Sequence, residues 1–149
     1  MKHINYDINS VCVVGMGYVG LTLTVVLAEV GYKVICIEIN EKLVEKLNSG
    51  KVHFFERGLE PRFRKQLENG NIIITGNDES AKYDVIVICV ATPINKKTFS
   101  PIIDYVSNSL KSVSRFIDLG SIVLMRSTVP VGLSRKTVIP KLEEYTGLT

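Results

Sequence analysis

The stretch VCVVGMGYVGL, residues 11–21, constrains the fold of this chain more than any other segment. A run of Val and Cys with no polar alternation reads as a strand covered on both faces. The run breaks at Gly15, and apolar residues resume in a helix-like segment from Tyr18 (YVGLTLTVVLAEV) that ends at Gly31, a plausible C-cap. Gly15, Gly17 and Gly20 therefore form G-x-G-x-x-G between a strand and a helix, and each has a separate task. The first permits a tight turn out of the strand, the second lets backbone approach a pyrophosphate, and the third lets the helix lie close to the strand. The amides and positive dipole end of the helix, which begins with Tyr18 and Val19, then face the phosphates.

The rest of the chain repeats the alternation. Apolar runs of strand length occur at 11–15, 33–39, 71–75, 84–91 and 121–127. Helix-like segments lie between them at 18–30, after Asn40, at 60–69 and at 102–117, with a last one from about 133 to 145 that Pro140 interrupts. This pitch predicts a Rossmann-like, doubly wound α/β fold: a mostly parallel sheet with helices on both faces. The chain of 149 residues suits one domain, and no repeat or Gly/Ser/Pro-rich linker divides it.

A carboxylate stands at the end of the second strand. Glu38, in VICIEIN, lies 18 residues past Gly20. There it can accept hydrogen bonds from the adenosine ribose hydroxyls and repel a 2′-phosphate, which favours NAD over NADP. The plain alternative is a tight βα turn with a surface glutamate.

Other functional classes find little support. The net charge is +3, with basic residues interspersed among acids, so nucleic acid is not an expected partner. No apolar run is long enough to span a membrane, and MKHINYDINS has no signal-like apolar core. Cys12, Cys36 and Cys89 lie inside hydrophobic runs without C-x-x-C spacing and read as reduced core residues, which points to the cytoplasm. No cluster has metal-ligand spacing. His3 falls in an N-terminal stretch that reads as disordered, and His53 reads as a surface loop histidine. Lys96-Lys97 reads as a solvated loop that could also meet phosphate.

The wording around these signals is similar to one family. GYVGL, INEKLVEKLNSGKVHFFERGLEP, NIIITGN, VIVICVATP and VLMRSTVPVGLS occur in that order. Together they resemble the NAD-binding part of the UDP-glucose/GDP-mannose dehydrogenases, over about residues 11–140. The resemblance implies an enzyme that oxidises the C6 alcohol of a UDP- or GDP-sugar to the uronate in two NAD-dependent steps, serving polysaccharide biosynthesis. It implies that Gly15, Gly17, Tyr18, Val19, Gly20 and Glu38 hold the adenosine diphosphate half of NAD. It further implies that Ala91, Thr92 and Pro93 line the cofactor, as does Ser127. Thr128 would sit near the nicotinamide and help to hold a water at the reacting centre. For both Pro-containing segments the bland reading is a stiffened strand-to-loop turn.

This chain departs from the family pattern in places. Arg57 stands where the family usually has Pro, in Glu56-Arg57-Gly58-Leu59; Ala91 replaces a frequent Gly; and Glu38 replaces a more frequent Asp. None of the three cysteines has the Gly-rich context of the family's nucleophile. The family's catalytic lysine, downstream glutamate and nucleotide-sugar domain have no counterpart here. The expectation is an N-terminal cofactor domain (1–149) of a longer enzyme, inactive alone and homo-oligomeric when full length, with the sugar bound mainly elsewhere. Two alternatives are a free-standing NAD-sensing domain, which has no evident use for STVPVG, and the cofactor domain of a β-hydroxyacid dehydrogenase. The latter would not be expected to combine GYVGL with ERGLEP and STVP.

Overall fold

The computed structural model describes residues 8–76, 82–98 and 100–148. Strands β1 (Ser10–Val14), β2 (Lys33–Ile37), β3 (Ile72–Thr75), β4 (Val85–Ile88) and β5 (Ile122–Met125) form one sheet in the order β3-β2-β1-β4-β5. All four pairings are parallel. In the central strand, Val11 is in register with Val34 on one side and Val85 on the other. The winding direction reverses between β1 and β4, which leaves a crevice beyond their carboxyl ends.

The helices are α1 (Tyr18–Glu29), α2 (Glu41–Asn48), α3 (Leu59–Glu68), α4 (Asp104–Ser114) and α5 (Ile139–Thr146). The pleat sends alternate strand residues to opposite faces. Val11, Val13, Val34, Cys36, Ile72 and Val87 pack with Leu21 and Val25 of α1, Leu47 of α2 and Phe63 of α3. Cys12, Val14, Ile86 and Ile88 face the other way, onto Val106, Leu110 and Val113 of α4 and Val138 ahead of α5. Each fully buried side chain of this size contributes about 1.5–3 kcal/mol. The sheet is thus covered on both faces, which explains why the strands lack polar alternation.

The runs 33–39, 84–91 and 121–127 outlast β2, β4 and β5, because they continue past the last ladder pair into the crevice loops. Asn40 caps α2, its side chain accepting from the Leu43 amide at 3.3 Å. The expected last helix is two joined segments: a π-helical turn, Ser134–Val138, leads into α5, and Pro140 sits in the first turn of α5. The Ile139 amide donates back to the Ser134 carbonyl, so the chain stays helical up to the proline. At the amino ends of β1 and β4, one carboxylate oxygen of Asp84 accepts from the Asn9 amide, the Ser10 amide and the Ser10 hydroxyl, each at 2.9 Å. Among the described residues no helix is long and apolar enough to cross a membrane.

Candidate functional site

The glycine turn carries the clearest geometry. Gly15 leaves β1 with φ +90°, and its amide donates to the Ile37 carbonyl at 2.8 Å. A Cβ on Gly15 would stand 2.9 Å from the Cys89 carbonyl oxygen, so the turn is pressed against the end of β4. A Cβ on Gly20 would meet the Gly15 oxygen. Gly17 is different. It occupies the N-cap position of α1 with extended backbone and no side-chain cap, and nothing lies within 4 Å of the place a Cβ would take. Turn, open approach and helix packing fall to Gly15, Gly17 and Gly20 respectively.

Gly17 opens into a cleft of about 750 Å³. Gly15, Tyr18, Val19, Glu38, Ala91, Thr92, Ser127 and Thr128 also line it. Gly20 lies behind the wall as a packing residue. Pro93 lies outside the cleft; its carbonyl accepts from the Ile102 amide at 2.8 Å and closes the loop after β4.

Glu38 bridges two helix starts. One carboxylate oxygen accepts from the Met16 amide at 2.8 Å and the other from the Asn40 amide at 2.9 Å. The carboxylate is therefore held beside the glycine turn, on the β2 side. On the β4 side, the Ser127 hydroxyl donates to the Val90 carbonyl at 2.7 Å and ties the loop after β5 to the loop after β4. Thr92 and Thr128, a residue or two further along these loops, both line the cleft.

Several lining residues escaped the sequence reading. Arg126 enters the cleft at the end of β5, and Tyr105, Asn108, Ser109 and Ser112 present one face of α4 to it. Their spacing of three and four residues is the available signal, but which face meets the cleft depends on tertiary packing. Two expectations need correction. Cys89 is not a core residue like Cys12 and Cys36; it lies half-buried in the cleft, because its strand ends where the glycine turn begins. His53 is not a plain surface histidine: its Nδ1 is buried without a partner and its ring stands edge-on to Phe54 at 4.8 Å. Burial, and then the Lys46 charge, lower its pKa against the pull of Glu38. His3 lies outside the described residues.

Neither Cys36 nor Cys89 is an activated thiol. Burial pushes Cys36 up to about 12, with the Thr24 hydroxyl pulling the other way. It pushes Cys89 up to about 11, against the pull of Arg126. A dinucleotide fits the remaining features. The uncapped first turn of α1 offers amides to an anion, Gly17 leaves their approach clear, and the cleft volume is in the range of cofactor sites.

Comparison with known proteins agrees. Residues 9–148 match the model of the UDP-glucose/GDP-mannose dehydrogenase family, NAD binding domain. The chain belongs to this family. A UDP-N-acetyl-D-mannosamine dehydrogenase of Campylobacter jejuni is 33% identical over 141 residues, covering 95% of this chain and 34% of the relative. The solved UDP-D-ManNAc dehydrogenase of Pyrococcus horikoshii superposes with a TM-score of 0.87 at 32% identity, over 93% of this chain and 33% of that one. A GDP-mannose dehydrogenase from Pseudomonas aeruginosa does so with a TM-score of 0.84 at 27% identity, over 93% of this chain and 33% of that one. The chain spans about a third of the length of these relatives. NAD is therefore the cofactor of this family domain. In this member, Arg57 of the family's Glu-Pro-Gly-Leu position lies in the turn that precedes α3, where the Leu59 amide donates to the Glu56 carbonyl at 3.1 Å.

Proposed function

We propose that this chain is the dinucleotide-binding part of a nucleotide-sugar dehydrogenase that oxidises the C6 alcohol of a UDP- or GDP-sugar to the uronate. When bound, NAD supplies a hydride acceptor, twice per sugar. The amides of the first turn of α1 hold the pyrophosphate, and Glu38 holds the adenosine ribose hydroxyls while repelling a 2′-phosphate. Thr92, with Ala91, lines the nicotinamide half. Thr128 orients a water near the reacting centre, which a hydroxyl can do without adding charge. Ser127 serves by holding the two loops together. The nucleophilic cysteine belongs to another part of the enzyme, since Cys12 is buried and Cys36 and Cys89 are both pushed toward the thiol form.

The single observation that carries this reading is the meeting of Gly17, Glu38 and Thr128 in one cleft at the switch point of the sheet. The names of the relatives make UDP-N-acetylmannosamine the first substrate to try with the whole enzyme. We further propose that the enzyme works in the cytoplasm as a homo-oligomer. The test is a titration of the chain with NADH and NADPH, following nicotinamide fluorescence; the chain has no tryptophan to interfere. Saturable binding of NADH alone is expected. No binding by a folded sample would overturn the cleft assignment, and a preference for NADPH would overturn the role given to Glu38.

A further inference from the structure

The loop 51–58 does not line the cofactor cleft, yet it is fastened to Tyr18, which does. The Tyr18 hydroxyl donates to a carboxylate oxygen of Glu56 at 2.5 Å. The Tyr18 ring lies 4.7 Å from the ring of Phe54, tilted by 41°. The loop is a firm support for both contacts. Val52 and Phe54 pack against the core beneath α1, and the Val52 amide donates to the Glu60 carboxylate at 3.1 Å. The turn into α3 fixes the backbone of Glu56 through the Leu59 amide. Phe55 between them points outward.

Tyr18 is the first residue of α1 and is 55% exposed. An exposed side chain in that place changes rotamer within nanoseconds unless something selects one. A ring contact and a charge-assisted hydrogen bond select one here. We propose that Glu56 and Phe54 are positioning residues for the dinucleotide, acting through Tyr18, whose ring they hold as a preformed wall beside the first turn of α1. The inference rests on the reading of the cleft as the NAD site. A wall fixed in advance spares the ordering that binding would otherwise require, so the loop tightens cofactor binding without touching the cofactor.

The test is a double-mutant cycle on NADH affinity, read by nicotinamide fluorescence, with melting temperatures measured alongside. Glu56→Ala and Tyr18→Phe should each weaken NADH by roughly three- to tenfold, the span of one net hydrogen bond. The double variant should be no weaker than the single ones, because Glu56 has nothing to act through once the hydroxyl is gone. Glu56→Gln should recover most of what Glu56→Ala loses, since the amide oxygen still accepts. Additive losses, or a lowered melting temperature with unchanged NADH affinity in Glu56→Ala, would overturn the proposal and leave the NAD reading intact. Failure of the wild-type chain to bind NADH would overturn both.

Discussion

The position that a Cβ would take on Gly20 lies 1.9 Å from the carbonyl oxygen of Gly15. The obstacle is backbone, so no rotamer change can relieve it. Gly20→Ala must push α1 away from the glycine turn and loosen the packing of Leu21 and Val25, both fully buried. Overpacking of this kind costs about 3 kcal/mol. For a domain of this size that lowers the melting temperature by roughly 6–12 °C. A thermal melt by circular dichroism checks it, and an unchanged midpoint would mean the helix is not held against the turn.

Gly17→Ala should behave in the opposite way. Gly17 has φ −69°, and its Cβ direction is empty, so stability should change by no more than about 0.5 kcal/mol. The added methyl would nevertheless stand where the phosphates approach the amides. Losing a hydrogen bond to a charged group weakens NADH about ten- to a hundredfold. The pair of variants separates folding from binding within one six-residue motif. Intact NADH affinity in Gly17→Ala would count against a pyrophosphate at this turn.

Glu38→Gln tests cofactor choice with little change in shape. The amide keeps an acceptor for Met16 or Asn40 while the negative charge is lost. The expected result is NADH binding weakened about tenfold, as for one hydrogen bond to a charged group, with NADPH now binding comparably. Parallel titrations read both constants. Continued rejection of NADPH would place the discrimination elsewhere in the cleft.

What could be read from the sequence was local. The strand runs and the three glycine tasks are written in consecutive residues, and the positions of Gly15, Gly17, Gly20 and Glu38 follow from them. The side chains of α4 that reach the cleft are fixed by how that helix lies on Val14, Ile86 and Ile88, which no local pattern states. Arg126 is hidden for a related reason: it falls inside the apolar run 121–127, just ahead of Ser127, and only the pairing of β5 with β4 shows that the ladder ends at Met125 and leaves Arg126 at the cleft. The same holds for Cys89, whose exposure is decided by the glycine turn packed beside it. The contact between Tyr18 and Glu56 joins residues 38 positions apart, beyond any pattern of helix or strand.

Cys89 offers a chemical reporter of the cleft. With its thiol pushed up to about 11, only roughly one molecule in a thousand carries the thiolate at pH 8. Alkylation by iodoacetamide should be slow there and slower still with saturating NADH, while buried Cys12 and Cys36 react only on unfolding. Peptide mapping after timed labelling distinguishes the three. Rapid modification of Cys89 that NADH does not slow would show that it does not share the cofactor cleft.

Asp84 sets an acid limit on stability. Hydrogen bonds from the Asn9 amide, then from the Ser10 amide and hydroxyl, hold its carboxyl below the usual range. A carboxyl with a lowered folded-state pKa contributes stability above its unfolded value, near 4, and loses that contribution as pH falls through the folded value. Asp84→Asn should therefore melt at a lower temperature than the wild type at pH 7, with the gap narrowing as pH falls below about 4. Glu29, held low chiefly by its hydrogen bond from Arg62, titrates in the same direction and remains in the variant, so the acid slope should shrink without vanishing. Melting curves of both proteins between pH 3 and 7 read the difference directly. A gap that stays constant across that range would mean that the Asp84 charge does not hold the start of β1.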